Sequence, residues 1–121
     1  MTRPDLRADR GAATVEIAVA LPSLVVIVMV AVAAVTVVTA QLRCVDAARE
    51  GARAAARGEG AAIVRDIAGQ VAPGRAGVTV TVEAGRVAVG VSTTIRLLSG
   101  RGPSITVVGR AVAAAEPGVG P

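Results

Sequence analysis

The sequence predicts an α+β fold: a long N-terminal transmembrane helix continuing into a stem, a short second helix, then a small antiparallel β-sheet of about three strands. Residues 17–40 form a run of 24 residues without a charged side chain. Residues 41–57 are rich in alanine and carry charges at helical spacing, which indicates an amphipathic stem. From residue 78 onward valines recur at every second position, which is typical of strands.

The apolar run is long enough to cross a membrane, since at ~1.5 Å per residue it exceeds a hydrocarbon core of ~30 Å. Pro22 falls early in the run, where it can kink the helix axis. A cleaved secretory signal is the alternative, because three arginines precede the run and Ala40 resembles a small-residue cleavage site. The apolar part of such a signal spans only ~7 to 15 residues, so we expect a retained membrane helix.

The long helix is expected from about Ala13 to Arg57, after a polar tail in which Pro4 discourages an early start. Arg49, Arg53 and Arg57 follow at steps of four and share one face. Nearby acidic residues on the stem can offset their mutual repulsion. These are Asp46 and Glu50.

A second helix is predicted from about Gly60 to Ala72, with one apolar face. That face carries Ile63, Val64, Ile67, Ala68 and Val71. After it, two valine-rich stretches flank Ala84-Gly85-Arg86, and this pattern predicts a hairpin with Gly85 in a tight turn. Residues 94–98 either extend the second strand or turn away from it, and a last strand is expected from Ile105 to about Val112.

The composition argues against catalysis, metal binding and nucleic-acid binding. The chain has no histidine and one cysteine, so it offers neither a histidine-activated nucleophile nor a metal cage. It has no aromatic residue on which bases could stack, and all 13 basic residues are arginine. We therefore expect no enzyme activity, no cofactor, no metal, no nucleic acid and no small-molecule substrate.

Cys44 has two interpretations. A single cysteine cannot form an intramolecular disulfide. It is expected to be a small buried apolar residue at the end of the membrane segment. The alternative is an intermolecular disulfide between neighbouring copies.

The stretch Gly11-Ala12-Ala13-Thr14-Val15-Glu16 joins the charged tail to the apolar run. A carboxylate at the mouth of an apolar helix needs a compensating partner or a shallow position. Together with Ala20-Leu21-Pro22 and the stem from Ala40 to Gly58, this junction resembles the TadE family of minor pilins that accompany Flp (tight adherence) pili in actinobacteria. The resemblance covers most of the chain.

The resemblance implies that a prepilin peptidase cuts after Gly11 and leaves Ala12 as the first mature residue. Glu16 then becomes the fifth mature residue, where type IV pilins carry a glutamate that attracts the free amine of an adjacent subunit. The resemblance also implies a minor pilin or pseudopilin of a Tad pilus or related secretion apparatus. Its partners would be other pilin subunits, the Tad assembly platform, the prepilin peptidase and membrane lipid.

On this interpretation the chain divides into four parts. Residues 1–11 are a leader-like cytoplasmic tail, residues 12–58 the membrane helix and stem, residues 59–116 a small exported α+β domain, and residues 117–121 a flexible tail. The protein is expected in the cytoplasmic membrane as a single-pass protein with its N-terminus cytoplasmic, and also on surface pili.

Two other hypotheses stay open. One is a single-pass membrane-anchored envelope protein whose residues 61–114 form a small binding module and whose tail stays attached. The other is a secreted protein cut near Ala40, which would lack the apolar run. Arginines follow the run as densely as they precede it, so the positive-inside rule alone also permits a cytoplasmic stem.

Overall fold

A computed structural model describes residues 6–115 of the chain. Residues 1–5, including Pro4, and residues 116–121, including the predicted C-terminal tail, lie outside the described residues. The chain forms two compact units, which divide between Ala34 and Val35. The element order is α1 (Leu6–Ala56), α2 (Ala61–Val71), β1 (Gly77–Glu83), β2 (Arg86–Arg96) and β3 (Ser104–Ala114).

The predicted α+β class is confirmed, including the long apolar helix, the short second helix and the three-stranded antiparallel sheet. Helix α1 begins at Leu6, about two turns before the expected start near Ala13. The segment between Leu6 and Ala13 consists mainly of leucine, arginine and alanine, which all have high helix propensity.

Helix α1 ends in a glycine-terminated cap. Gly58 has a φ of 84°, which favours glycine. The Glu59 N–H donates to the Ala54 carbonyl at 3.2 Å, and the Gly58 N–H donates to the Ala55 carbonyl at 3.0 Å. This is the hydrogen-bond pattern of a Schellman motif, and it satisfies carbonyls that the helix leaves unpaired.

The sheet order is β1-β2-β3, with β2 in the middle. In β1 and β2, Val80 lies opposite Val89; in β2 and β3, Val91 lies opposite Gly109. Strand β2 runs through to Arg96, so residues 94–96 extend the second strand and residues 97–98 belong to the turn that follows it. The β1–β2 turn consists of Ala84 and Gly85, with φ values of 47° and 76°.

The core of the second unit lies between one face of the sheet, helix α2 and residues 44–55 of α1. The stem contributes only small side chains to it. The buried stem residues are Cys44, Ala47, Ala48, Gly51, Ala52, Ala54 and Ala55. Their spacing of three or four places them on one helix face.

Two glycines allow this close packing. A Cβ on Gly51 would lie 2.9 Å from Val89 Cγ1 and 3.2 Å from the Ala68 Cβ, so α1, β2 and α2 meet at this point. A Cβ on Gly109 would overlap the backbone of Cys44, so β3 and α1 are in backbone contact there. The chain has no aromatic side chains to fill a core. Small residues instead let the helices and the sheet pack closely together.

Helix α2 buries less of its apolar face than its pattern suggests. Val64 and Ala68 are buried and Ile67 is half-buried. Ile63 is 50% exposed and Val71 is 40% exposed. The sheet and stem therefore cover only the central part of the apolar face.

Candidate functional site

The junction predicted as a processing site lies within α1. Gly11 is exposed, and a Cβ built on it meets nothing within 4 Å. Its backbone is helical, and it is not among the glycines with positive φ. Neither packing nor backbone conformation therefore explains a glycine at this position.

Glu16 is exposed one helical turn after Ala12, so the two residues lie on the same side of α1. Between Asp9 and Asp46 it is the only acidic residue in the sequence, and its neighbours Val15 and Ile17 are 63% and 58% exposed. The Thr14 hydroxyl donates to the Arg10 carbonyl at 2.9 Å within the same turn. Glu16 is thus a carboxylate on an apolar helix surface.

Pro22 lies inside α1 and has no N–H to donate to the carbonyl of Ala18. The next residue, Ser23, donates its hydroxyl to the Val19 carbonyl at 2.9 Å. The polar side chain of Ser23 is therefore satisfied within the helix, which suits a nonpolar environment.

The apolar side chains of residues 15–35 face outward on all sides of α1, and those of the large residues among them are 45% to 66% exposed. By length and composition α1 can cross a membrane. An apolar surface of this extent requires lipid or neighbouring helices to cover it.

The stem presents a charged face opposite its buried face. Arg43, Arg49, Arg53 and Arg57 are exposed on it. Arg53 pairs with Glu50 at 3.2 Å, as the helical spacing predicted. An exposed pair of this kind contributes little to stability, so the face is a solvated surface.

Cys44 has zero exposure, which agrees with its interpretation as a small buried apolar residue. It lies in the second unit, outside the apolar run of residues 17–40, and burial raises the pKa of its thiol. A higher pKa lowers the fraction of reactive thiolate. The intermolecular disulfide stays a prediction, and it would need β3 to move away from the stem.

Sequence reasoning did not find the packing role of Gly51 and Gly109, nor the hydrogen bond from the Gln41 side chain to the Val108 carbonyl at 2.9 Å. The sequence does contain one indication of the close contact at Gly109. A glycine inside a strand pattern, such as Gly109 between Val108 and Arg110, often marks a close approach of another backbone.

Residues 17–40 of α1 carry no charged side chain, and an N-terminal helix of this length and composition indicates a single-pass membrane-anchored protein. A family profile described as TadE-like protein matches residues 11–53, from the junction glycine into the buried stem. The chain is 40% identical over 103 residues to the apoptosis inhibitor Rv3655c of Mycobacterium tuberculosis (strain ATCC 25618 / H37Rv), covering 85% of this chain and 78% of that protein. No solved structure matches significantly.

These similarities show that the chain belongs to the TadE-like family, as the resemblance in its sequence indicated. It is therefore a Tad pilus-associated protein. TadE-like proteins are structural components of pili and are not known as enzymes. Within residues 6–115, no group of three or more acidic or cysteine residues is placed to hold a metal ion.

Proposed function

We propose that the chain is a minor pilin or pseudopilin of a Tad (Flp) pilus or a related secretion apparatus. A prepilin peptidase cuts after Gly11, and Ala12 becomes the mature N-terminus. The observation that carries this proposal is that the fold gives no reason for Gly11, which lies five residues before the lone carboxylate of Glu16.

A glycine in a helix interior costs about 1 kcal/mol relative to alanine. At Gly51 that cost accompanies close packing against Val89, but at Gly11 nothing lies within 4 Å of the Cβ position. Gly69 in α2 has the same open surroundings, so the open space alone is not specific. What favours recognition by a peptidase is that Gly11 lies between the arginines of the tail and the carboxylate of Glu16.

After cleavage, Glu16 attracts the free amine of Ala12 in a neighbouring subunit. The charge of Glu16 is costly among exposed apolar side chains when the helix is surrounded by lipid or by other helices. A neighbouring amine compensates it and sets the position of one subunit relative to the next. Loss of one partner from such a shielded pair costs on the order of 3 to 5 kcal/mol.

In this proposal residues 1–11 are cytoplasmic and residues 59–116 are outside the membrane. Partners are other pilin subunits, the Tad assembly platform and the peptidase.

The test is the N-terminal sequence and intact mass of the protein from membrane and sheared surface fractions of its own host. An N-terminus at Ala12 is expected. Gly11→Arg should retain the tail, whereas Gly69→Arg is a matched control at an equally open helix position and should be processed normally. An intact tail in the unsubstituted protein would refute processing, and normal processing of Gly11→Arg would refute the assigned site.

The alternative is a single-pass envelope protein that keeps its tail and uses its C-terminal unit as a binding module. The observation in its favour is the row of exposed stem arginines, since the positive-inside rule does not favour placing them outside. This alternative predicts an intact N-terminal tail in the membrane fraction and no effect of Gly11→Arg. A start near Gln41 would instead identify the apolar run as a cleaved signal.

A further inference from the structure

The peptide bond between Gly11 and Ala12 lies inside a helix, because α1 already includes Leu6. In an α-helix each N–H donates to the carbonyl four residues earlier. The helical pattern therefore pairs the Ala12 N–H with the Ala8 carbonyl, and the Gly11 carbonyl with the Val15 N–H. Both polar groups of this peptide bond are occupied by the helix, and a peptidase reaches them only when the turn opens locally.

The segment around this bond is held by local interactions. Residues 7–16 are all exposed, so the segment lacks the packing of one face that provides most helical stability in proteins. The bond also lies within about three turns of the start of α1, and helices open most readily near their ends. The helix propensity of the residues in this segment therefore decides how often it opens.

Two residues weaken the turn that contains the bond. Replacing alanine with glycine in a helix interior favours the open form about fivefold, and Gly11 is such a glycine. Thr14 is β-branched and loses rotamer freedom in a helix. Its hydroxyl donates to the Arg10 carbonyl at 2.9 Å, and side-chain bonds of this kind slightly destabilise a helix. The turn from Arg10 to Thr14 is thus weakened on both sides of the bond.

Glu16 keeps this turn close to water when α1 spans a membrane. A carboxylate is costly in the hydrocarbon core, so the residues beside Glu16 stay near the interface. Water can there hydrogen-bond the N–H and carbonyl groups that unwinding releases, whereas in lipid those groups would stay unsatisfied. Residues 17–40 carry no charge and keep their helical hydrogen bonds in lipid. Opening is therefore confined to the segment before the apolar run.

We propose that the Arg10–Thr14 turn is an unwinding site, and that cleavage after Gly11 proceeds from its open form. In that form the peptidase adds water across the Gly11–Ala12 peptide bond, which leaves a carboxylate on Gly11 and an amine on Ala12. Packing gives no reason for a glycine at this position, and ease of unwinding supplies one. The inference rests on the proposed processing at Gly11 and adds what controls its rate.

The test measures cleavage of the full chain in vesicles by the prepilin peptidase of its host. The peptidase concentration is kept low, so that cleavage is slower than opening and closing of the turn. In that regime the cleavage rate follows the population of the open form. Hydrogen exchange of the amides of residues 12–15, measured by mass spectrometry without peptidase, reports the same opening independently.

Variants on both sides of the bond change the opening and leave Gly11 in place. Ala13→Gly should raise the exchange rate and the cleavage rate about fivefold, and Ala8→Gly should raise both as well. Thr14→Ala should lower both rates about threefold, since alanine has the higher helix propensity. Ala31→Gly is the matched control at an exposed position in the apolar run, and it should leave both rates unchanged.

Cleavage rates that change together with the exchange rates across these variants support the proposal. Equal exchange rates in all variants would overturn it. Equal cleavage rates despite different exchange rates would also overturn it, because the peptidase would then act on the closed helix. Ala8 lies outside residues 11–16, so agreement between Ala8→Gly and Ala13→Gly separates opening from direct contacts with the peptidase.

The same experiment distinguishes this inference from the processing proposal. Absence of cleavage in the unsubstituted chain would refute the proposed processing, and this inference with it. Cleavage after Gly11 at a rate that is insensitive to the three variants would refute this inference alone.

Discussion

Gly109 of β3 lies against the backbone of Cys44 in α1, so closely that a side chain at residue 109 would overlap the Cys44 peptide group. The contact joins the edge strand of the sheet to the helix that carries the apolar run. It also explains how Cys44 becomes fully buried without a large side chain over it.

Gly109→Ala is expected to destabilise the second unit, since the new methyl group must push β3 away from the stem. Overpacking of this kind typically costs ~1 to 3 kcal/mol. Gly69→Ala is the control, because its Cβ meets nothing within 4 Å and an alanine favours the helix. Denaturant unfolding of the full chain in detergent, followed by circular dichroism, measures both. An equal midpoint for Gly109→Ala and the unsubstituted protein would contradict the packing assignment.

Glu16→Gln is expected to abolish or strongly reduce assembly while leaving the fold unchanged, because Glu16 is exposed and removal of its charge affects no described packing contact. The amount of protein in the sheared surface fraction, relative to the membrane fraction, measures assembly. Glu59→Gln, at an exposed position after α1, is the matched charge-removing control. Normal surface protein from Glu16→Gln would remove the proposed role of this carboxylate.

Cys44 is expected to react slowly with a maleimide in the folded protein and quickly after denaturation. Burial both blocks access and raises the pKa of the thiol, so less thiolate is present at neutral pH and reactivity increases only as the pH rises. The exposed cysteine of Ala84→Cys in a Cys44→Ala background supplies the reference rate. Rapid labelling of native Cys44, or a disulfide dimer on a non-reducing gel, would favour the intermolecular disulfide instead.

Ala84→Asn is expected to stabilise the β1–β2 hairpin. Ala84 has a φ of 47° and precedes Gly85 at 76°, and Asn-Gly is the preferred pair for a two-residue turn with both φ values positive. The gain should be below ~1 kcal/mol, since the left-handed conformation costs an ordinary L-residue ~1 to 2 kcal/mol and asparagine somewhat less. The midpoint of denaturant unfolding measures this gain, and Ala88→Asn on the exposed face of the sheet is the control. If Ala84→Asn does not raise the midpoint above that of the control, this turn geometry is contradicted.

Most of the elements could be predicted because their signals are local. The uncharged run 17–40, the valines at alternate positions and the glycine of the β1–β2 turn each depend on residues close together in the chain. Helix α1 already includes Leu6, about two turns before the start predicted near Ala13, because the leucine, arginines and alanines that follow Pro4 favour a helix. For the candidate site, the sequence supplied Gly11 and Glu16, and the structure added that no packing contact requires the glycine.

The sequence by itself determined the class of fold, the membrane helix and the family, since periodicity, hydropathy and the junction motif are properties of consecutive residues. Only the tertiary structure decided which small residues of the stem are buried and why Gly51 and Gly109 are glycines. These facts depend on contacts between residues as far apart as Cys44 and Gly109. The packing of β3 on α1 cannot be predicted from either segment alone, because it joins residues that are far apart in the sequence.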